Sequence, residues 1–321
     1  MVAKLTDVAE LAGVSPTTVS RVINKKGYLS EKTVNKVKEA MRQLGYKPNN
    51  LARGLQGKSA KLIGLIFPNI SNVFYAELIH KLEHELFKAG YKTIICNSEH
   101  DADKEREYIE MLEANMVDGI ISGSHNLGID DYNRVTAPII SFDRNLSPDI
   151  PVVSSDNYEG GVLAAKTLLK TKAEKIMMIT GNDNSNSPTS LRHAGFASVL
   201  PQAPILNLSS DYSPIRKEME IKSILQNEKP DAIFASDDLT AILIMKIARD
   251  LGIQIPDQLK VIGYDGTYFI ENYYPDLATI QQPLKEIAQV CVDLLLKKIA
   301  GKDVPTRVYP LPVTLLPGKS I

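Results

Sequence analysis

The sequence has few of the residues and segments that mark secreted, membrane-bound or disulfide-stapled proteins. It holds two cysteines among 321 residues, Cys96 and Cys291, and no CxxC pair, so neither a disulfide framework nor a zinc site is expected. Its first residues, MVAKLTDVAELAG, lack the apolar stretch of a signal peptide. No run of about 18 apolar residues is available to span a bilayer. We therefore expect a cytoplasmic protein.

Signatures of enzymes and metal sites are also scarce. Neither GxGxxG nor the phosphate-binding pattern GxxxxGK(S/T) occurs, so a nucleotide-dependent enzyme would lack its usual fingerprint. His80, Glu83 and His84 match the H-x-x-E-H pattern of inverted zinc peptidases. However, leucines at helical spacing make this segment an ordinary amphipathic helix. We expect no metal, no cofactor and no catalysis.

Charge is distributed unevenly along a chain of ordinary composition. Hydrophobic residues make up 44% and charged residues 23%, as in soluble globular proteins. The net charge is −1, yet residues 1–61 hold twelve Lys/Arg against four Asp/Glu, while the remaining residues hold 25 basic and 34 acidic groups. A basic head on an acidic body indicates a polyanionic partner at one end. The alternative is a charged face that is merely solvated.

The basic head begins with a pattern typical of two short helices joined by a tight turn. Thr6 can cap the first helix, and Gly13 ends it. Ser15 followed by Pro16 is a cap with proline at the first helical position, where its missing N–H costs nothing. The second helix is predicted to run to about Asn24. This arrangement has the form of a helix–turn–helix whose second helix enters a major groove of DNA.

A third helix and a short further segment complete the head. Ser30 can cap the third helix and Gly45 stands where a C-terminal glycine belongs. The tract NNLARGLQG that follows can form one more short helix. In the second helix, Arg21 can donate a bidentate pair of hydrogen bonds to guanine. Hydroxyl groups are suited to phosphate contacts. The candidate DNA contacts in the head are Thr6, Ser15, Pro16, Thr17, Thr18, Arg21, Asn24, Tyr28, Ser30, Thr33, Tyr46 and Asn49. The alternative is a three-helix bundle without a DNA role.

From residue 62 onward, short apolar runs alternate with longer helical stretches. This alternation predicts parallel sheets covered by helices, in two similar lobes that are each doubly wound. The strands are predicted at 62–68, 92–97, 118–122, 139–143, 175–181, 231–236 and 260–265. The helices are predicted near 74–89, 103–115, 158–171, 190–200, 214–226, 238–251 and 284–300.

Polar side chains at the strand ends predict a ligand pocket, because doubly wound sheets bind ligands beyond the carboxyl ends of their strands. Arg192 is a fixed fork of donors suited to the vicinal hydroxyls of a carbohydrate. Three aspartates supply acceptors, and aromatic rings can stack on a sugar. The candidate ligand-binding residues are Phe74, Tyr75, Asp143, Arg192, Tyr212, Asp237, Asp265 and Gln282. Taken singly, each carboxylate can instead be a helix cap or turn residue, and Asp238 can cap the helix that follows it.

The tracts LTDVAELAGVSPTTVSRVIN, LSEKT and AMRQLGYKPNNLARGL resemble the start of the LacI family of repressors, and the resemblance continues through the rest of the chain. It implies a small all-α helix–turn–helix domain with a hinge helix, joined to an α/β core of two lobes like that of periplasmic binding proteins. It also implies a homodimer that binds double-stranded operator DNA. The implied domains are residues 1–46 for the helix–turn–helix, 47–58 for the hinge helix and linker, and 59–321 for the core. Within the core, lobe one comprises about 60–156 with 284–308, and lobe two about 157–283 with 309–321.

The resemblance also implies roles for individual residues. In the hinge, Ala52, Arg53 and Leu55 match the part that enters the minor groove, with Leu55 as the wedge that kinks the duplex. In the core, four candidate residues match effector-contacting positions, while Asp143 and Tyr212 match less closely. These four residues are Arg192, Asp237, Asp265 and Gln282.

The tracts GKSAKLIGLIFPNIS and IGYDGTYFIENYYPDL resemble those of sucrose-responsive members of the family. The implied function is repression of a carbohydrate operon, with sucrose, fructose or a phosphorylated derivative as effector. Three alternatives stay open at this point: a global carbon-catabolite regulator of the same family, a sugar-binding transport receptor, and an α/β enzyme acting on sugars. Asp293 stands where catabolite control proteins carry a basic residue that helps dock a phosphocarrier protein, which argues against that coregulator.

Overall fold

The computed structural model describes residues 3–23, 27–47, 59–114, 116–124, 126, 129–181, 190–209 and 212–321. The chain divides into two compact units, Met1–Ala60 and Lys61–Ile321. None of the helices in the described ranges is long and apolar enough to cross a membrane.

The first unit is a small helical bundle. Its helices are α1 (Leu5–Ala12), α2 (Pro16–Ile23) and α3 (Glu31–Gln43). Small and β-branched side chains from all three helices form its core, and these residues are Val8, Ala9, Ala12, Val19, Val22, Val37 and Ala40. Because such side chains fill little space, the helices approach closely and leave their polar faces to solvent.

The helix starts follow the predicted caps in two of three cases. The Ser15 hydroxyl accepts a hydrogen bond from the backbone N–H of Thr18 at 3.1 Å, and Ser30 does the same for Thr33 at 3.2 Å. These two predictions are confirmed. Removing such a cap typically costs about 1 kcal/mol of stability.

The predicted cap at Thr6 is wrong. Helix α1 begins at Leu5, two positions earlier than a cap at Thr6 would allow, so Thr6 lies inside its first turn. Asp7 fulfils the capping role instead, because its carboxylate accepts the backbone N–H of Lys4 at 2.8 Å. An acidic side chain in the first turn also complements the positive end of the helix dipole. At the other end, Gly13 adopts φ 63°, the left-handed conformation that ends a helix at little cost for glycine.

The second unit contains two six-stranded sheets, and the first belongs to lobe one. Its strands run in the order β11-β5-β4-β3-β1-β2, all parallel to their neighbours. The strands are β1 (Leu62–Phe67), β2 (Lys92–Asn97), β3 (Gly119–Ser122), β4 (Ile139–Phe142), β5 (Val152–Ser155) and β11 (Val308–Leu311). The helices of lobe one are α4 (Val73–Lys88), α5 (Ala102–Ala114), α6 (Ile129–Asn133) and α12 (Leu284–Ile299).

The second sheet belongs to lobe two and has the order β12-β10-β9-β8-β6-β7. Only β12 runs antiparallel to its neighbour among these described strands. The strands are β6 (Ile176–Thr180), β7 (Ile205–Asn207), β8 (Ala232–Ala235), β9 (Lys260–Asp265), β10 (Ala278–Gln281) and β12 (Thr314–Leu316). The helices are α7 (Asn157–Lys170), α8 (Ser190–Val199), α9 (Pro214–Asn227), α10 (Asp238–Asp250) and α11 (Tyr268–Tyr273).

The chain passes between the lobes at three places, each close to a strand end. These crossings lie between β5 and α7, between β10 and α12, and between β11 and β12. Helix α12 therefore returns to lobe one, where its apolar face joins the core beneath β3, β4 and β5. The residues at the crossings share the edge of the sheets where a ligand is expected.

The predicted fold class, with its two parallel sheets covered by helices, is confirmed. Each of the long predicted strands and helices lies within a residue or two of its observed position. Five short strands are additional to those that were predicted, as are helices α6 and α11. Strand β11 extends to Leu311, beyond the expected end of lobe one at 308. Three- and four-residue elements carry too little periodicity to be distinguished from loops in a sequence.

Candidate functional site

A cavity of about 240 Å³ lies in the cleft between the two lobes, at the carboxyl ends of the strands. It is lined by Asn72, Phe74, Tyr75, Phe142, Asp143, Arg144, Gly181, Arg192, Ser236, Asp237 and Asp265. Six of the eight predicted ligand residues are in this set. A larger cavity of about 930 Å³ lies beside β7, but it contains none of the predicted residues and opens where β6 and β7 begin. Because doubly wound sheets bind ligands at the carboxyl ends of their strands, the smaller cavity is the candidate site.

Arg192 is the central donor of the cleft and is held in a fixed orientation. Its Nε donates to Oδ1 of Asn157 at 2.6 Å and its Nη1 to the carbonyl oxygen of Ser236 at 2.8 Å. The guanidinium carbon lies 3.7 Å from the centre of the Tyr264 ring. Nη2 lies 4.0 Å from Oδ2 of Asp143. Only 7% of the residue is exposed. The guanidinium is therefore held in a fixed position from which it can donate hydrogen bonds to a ligand in the cavity.

Two glycines bring the helix that carries Arg192 into position. A Cβ at Gly161, on α7, would overlap the backbone carbonyl oxygen of Arg192. A Cβ at Gly195, on α8, would overlap the carbonyl oxygen of Tyr158. Backbone-to-backbone contact between α7 and α8 is possible only because both positions lack a side chain. The close approach lets Asn157, at the start of α7, reach the Arg192 side chain.

Asp143 connects the two lobes at the floor of the cleft. It follows β4 of lobe one with φ 53°, a left-handed conformation that typically costs a non-glycine residue about 1 kcal/mol or more. Its Oδ1 accepts a hydrogen bond from Nδ2 of Asn157, in lobe two, at 2.9 Å. The strained backbone therefore places a buried carboxylate next to Arg192.

Asp237 caps α10 at the cavity wall. Its Oδ1 accepts the backbone N–H of Thr240 at 2.8 Å, and its Oδ2 accepts the Thr240 hydroxyl at 2.7 Å. The suggested capping role for Asp238 is therefore wrong, because its neighbour occupies the cap position. Asp238 is instead buried behind the cavity. Asp237 both caps α10 and lines the cavity. Its role as a helix cap is therefore compatible with its predicted role as a ligand-binding residue.

Asp265 and Gln282 form a pair at the end of β9. Nε2 of Gln282 donates to Oδ1 of Asp265 at 2.8 Å, and the Ser155 hydroxyl donates to Oε1 of Gln282. Gln282 is buried and lies behind the lining of the cavity. Burial raises the pKa of Asp265 well above its ordinary value, as do the carboxyls of Asp238 and Asp237, against the opposing effects of Arg192 and Gln282.

Aromatic rings form the lobe-one wall of the cleft. The rings of Phe74 and Phe142 lie 5.9 Å apart, and Tyr75 meets Phe74 edge-on at 5.3 Å. Such a wall offers apolar faces against which a sugar ring can pack. Tyr212 does not join the predicted group. Its ring lies under the guanidinium of Arg216 at 3.6 Å, away from the cavity lining.

Sequence reasoning missed several side chains that complete the site. Asn157 and Tyr264 hold Arg192 from behind, while Asn72, Arg144 and Ser236 line the cavity. The polar runs SSDN and ASDD, each of which spans the end of a buried strand, could have indicated Asn157 and Ser236 from the sequence.

A contact between the lobes also lies outside the cavity lining. The carboxylate of Glu77, on α4, accepts the backbone N–H of Tyr268, at the start of α11, at 2.7 Å. Lys81 lies 3.0 Å from the other carboxylate oxygen of Glu77. This contact joins lobe one to lobe two.

Most of the predicted DNA-contacting residues in the described part of the first unit are exposed to solvent. Ser15 and Thr18 hydroxyls are 2.9 Å apart at the start of α2, and those of Ser30 and Thr33 are 2.8 Å apart at the start of α3. At both helix starts, exposed hydroxyls lie beside the positive end of the helix dipole, an arrangement suited to phosphate groups. The exposed members of the predicted set are Thr6, Ser15, Pro16, Thr17, Arg21, Tyr28 and Ser30, and the half-buried ones are Thr18, Thr33 and Tyr46. Asn24, Asn49, Ala52, Arg53 and Leu55 lie outside the described residues.

The zinc-peptidase pattern lies on α4, whose leucines face the lobe-one core. Within the described ranges, no group of three or more His, Cys, Asp or Glu side chains is arranged to hold a metal ion.

Two family models match the chain. Residues 4–49 match the model of bacterial regulatory proteins of the lacI family. Residues 165–321 match the model of the periplasmic binding protein-like domain.

Curated relatives and solved structures match over the full length. The sucrose operon repressor of Streptococcus mutans serotype c is 71% identical, with 100% of both chains covered. The sucrose operon repressor of Lactococcus lactis subsp. lactis is 53% identical over 97% of this chain and 98% of its own. A crystal structure of the lac repressor dimer bound to operator and the anti-inducer ONPF has a TM-score of 0.84 and 26% identity, covering 100% of this chain and 99% of that one.

Proposed function

Because the chain belongs to the LacI family of bacterial regulatory proteins, we infer that it is the sugar-regulated repressor of a sucrose operon. The observation that carries this inference is the 71% identity over full length with a sucrose operon repressor. Repressors of this family bind operator DNA and sugar effectors, act as dimers and are not enzymes. Since its target is chromosomal DNA, we place the protein in the cytoplasm.

The first unit is proposed to read the operator. In this proposal α2 enters the major groove, where Arg21 pairs with guanine and the hydroxyls at the helix starts bind phosphates. The hinge residues 47–58 of two subunits enter the minor groove together, with Leu55 as the wedge between base pairs. The basic balance of residues 1–61 supports a phosphate-binding role for this end of the chain.

The cleft of the second unit is proposed to bind the effector, which is sucrose, fructose or a phosphorylated derivative. Arg192 donates to a pair of neighbouring hydroxyls, and Asp143, Asp237 and Asp265 accept from others. Phe74 and Tyr75 present apolar faces to the sugar ring. This assignment is supported by the common cavity that these residues line.

Regulation is proposed to work by a shift between two lobe arrangements. The sugar contacts both lobes and so binds one arrangement more tightly than the other, which is the condition for any ligand-driven shift. The change moves the two hinge segments of the dimer relative to each other. Operator affinity then falls because the hinge helices no longer dock as a pair.

A deletion strain tests the proposed target operon. Removing the gene should raise expression of the sucrose-uptake genes in medium without sucrose, and expressing the chain from a plasmid should restore repression. Transcripts of an unrelated sugar operon serve as the control. A broad change across many carbon-source operons would instead identify a global catabolite regulator, and unchanged sucrose genes would contradict the proposal.

Glu77→Ala tests the contact between the lobes. The substitution removes the acceptor for the Tyr268 N–H and so destabilises the arrangement in which both lobes enclose the cavity. A hydrogen bond to a charged group is worth about 1.5–3 kcal/mol when shielded and less when exposed. We therefore expect sugar affinity to fall by roughly 3–10-fold in calorimetric titration. Glu83→Ala, on the same helix, is the matched control, and equal affinities in the two variants would exclude a role for the contact.

A further inference from the structure

Gln282 is a buried amide at one of the crossings between the lobes. It lies between β10 of lobe two and α12 of lobe one, and only 3% of the residue is exposed. Its Nε2 donates to Oδ1 of Asp265 at 2.8 Å, and its Oε1 accepts a hydrogen bond from the Ser155 hydroxyl. The amide therefore joins a residue of the cavity lining to the last residue of β5, in lobe one.

The contact with Asp265 involves the backbone as well as the side chain. The backbone N–H of Gln282 donates to the carbonyl oxygen of Asp265 at 3.0 Å. Gln281 lies opposite Asp265 in the parallel pairing of β10 with β9, and its Nε2 donates to the carbonyl oxygen of Gly266 at 2.9 Å. Three hydrogen bonds from two adjacent glutamines therefore converge on the Asp265–Gly266 turn.

That turn needs support because its backbone is strained. Asp265 has φ 130° and Gly266 has φ 59°, both in the region that favours glycine. A strained backbone persists only when its surroundings determine it. From the side of α10, Oδ2 of Asp238 accepts the Gly266 N–H at 2.7 Å. The direction in which the Asp265 side chain points is thus set by contacts from outside the turn, and Gln282 is the residue that holds the carboxyl group itself.

Ser155 connects this support to that of Arg192. The hydroxyl of Ser155 donates to Gln282, while its carbonyl oxygen accepts a hydrogen bond from Nδ2 of Asn157 at 3.1 Å. Asn157 in turn accepts the hydrogen bond from Nε of Arg192. The crossing between β5 and α7 therefore supports both the central donor of the cleft and, through Gln282, the Asp265 acceptor.

We propose that Gln282 is a positioning residue of the effector site: its amide, fixed by the Ser155 hydroxyl, holds the Asp265 carboxyl group toward the sugar and does not contact the sugar itself. This inference rests on the proposed sugar-binding function. Oδ1 of Asp265 can accept the Nε2 hydrogen bond whether the carboxyl group is charged or neutral.

The alternative is a direct contact between Gln282 and the sugar, which the family resemblance implies. The two roles differ in how substitutions combine. If Gln282 acts through Asp265, its contribution to sugar affinity disappears once the Asp265 carboxyl group is removed. If Gln282 contacts the sugar, the two losses of binding free energy add, as they do for independent sites.

The test is calorimetric titration of the full-length protein with fructose and with sucrose, in a double-mutant cycle. Gln282→Met keeps the length of the side chain but removes both of its hydrogen bonds, so affinity should fall roughly tenfold. Asp265→Ala removes the acceptor and should cost about thirtyfold. Adding Gln282→Met to Asp265→Ala should weaken binding by less than about twofold more. A further loss of about tenfold would show direct contact and overturn the proposal, as would a Gln282→Met protein with wild-type affinity.

Ser155→Ala is a milder variant that tests the other end of the amide. It removes the donor that fixes Oε1 of Gln282, so sugar affinity should fall about threefold in the wild type and should not change in Gln282→Met. Ser154→Ala is the matched control, because Ser154 is also buried on β5 and its side chain points to the opposite face of the strand. This control should bind sugar like the wild type. Equal losses from Ser155→Ala in both backgrounds would exclude transmission through Gln282.

Thermal unfolding without sugar separates this inference from the proposed function. Gln282→Met and Asp265→Ala remove the same hydrogen bond, so the change in melting temperature of the double variant should differ from the sum of the single changes. If neither sugar binds the wild type, the effector assignment fails, while the melting temperatures still show whether the two side chains are coupled. Additive changes would refute the contact between Gln282 and Asp265 as a support of the turn.

Discussion

Arg192→Ala should abolish the response to sugar and leave operator binding intact. The guanidinium is the preorganised donor of the cleft, held by Asn157, the Ser236 carbonyl and the Tyr264 ring. A hydrogen bond to a charged group contributes about 1.5–3 kcal/mol. Loss of two such bonds to the effector therefore predicts at least a hundredfold weaker sugar binding. The DNA-reading helices belong to the other compact unit, so operator affinity without sugar should stay within about twofold.

The measurement is fluorescence anisotropy of a labelled operator duplex with and without sugar. Arg216→Ala is the matched control, because Arg216 stacks on Tyr212 and is not part of the cavity lining. This control should respond to sugar like the wild type. Normal release from DNA by Arg192→Ala would refute the assignment of the cleft as the effector site.

Gly161→Ala should destabilise lobe two and remove sugar binding together. Its new methyl group would meet the backbone of α8 at the Arg192 carbonyl oxygen, and a backbone cannot rotate away as a side chain can. Overpacking typically costs about 1–3 kcal/mol, and more where nothing can yield. We expect about 3 kcal/mol. Because α7 carries Asn157, any separation of the helices also displaces the partner of the Arg192 side chain.

Thermal unfolding and calorimetric titration with sugar measure the two effects separately. Lys166→Ala, at an exposed position on the same helix, should change stability by less than about 0.5 kcal/mol. The equivalent contact at Gly195 predicts that Gly195→Ala has a similarly large effect. A Gly161→Ala protein with wild-type stability would show that the two helices are not held at backbone contact.

The strand-end rule accounts for most of what the sequence could predict about the cleft. Asp143 follows the buried strand β4, Asp265 is the last residue of β9, and Asp237 lies two residues beyond the end of β8. Their meeting at one edge therefore follows from the sheet class alone. Arg192 and the aromatic pair of α4 were placed by residue chemistry and family resemblance. These predictions needed no knowledge of how the two lobes face each other.

The residues that were missed depend on the contact between the lobes. Asn157 reaches Asp143, and Ser155 reaches Gln282, only because the chain crosses between the lobes beside these positions. The crossings lie next to short strands such as β10 and β12. A strand of three or four residues is too short to show a periodic pattern in the sequence, so the crossings could not be predicted. Tyr212 lies outside the cavity lining, and its ring is stacked against Arg216, four residues further along the chain.

The adjacent residues Asp237 and Asp238 show a second limit of prediction from the sequence. Either Asp237 or Asp238 could cap α10 by composition alone. The choice is made by Gly263 and Thr279, which create a space and a hydrogen-bond partner for the second carboxyl. Neither is close to the pair in sequence, so the roles became distinguishable only in the folded lobe.

The proposed repression depends on coupling between the sugar and operator DNA, which a single titration can measure. Operator anisotropy is followed while sucrose, fructose and their phosphates are added in turn, with a scrambled duplex as control. We predict that at least one of these sugars weakens operator binding by about tenfold or more, within the usual range of allosteric coupling. Binding to the scrambled duplex should not change. Operator affinity that is unchanged by every one of these sugars would contradict sugar control of operator binding.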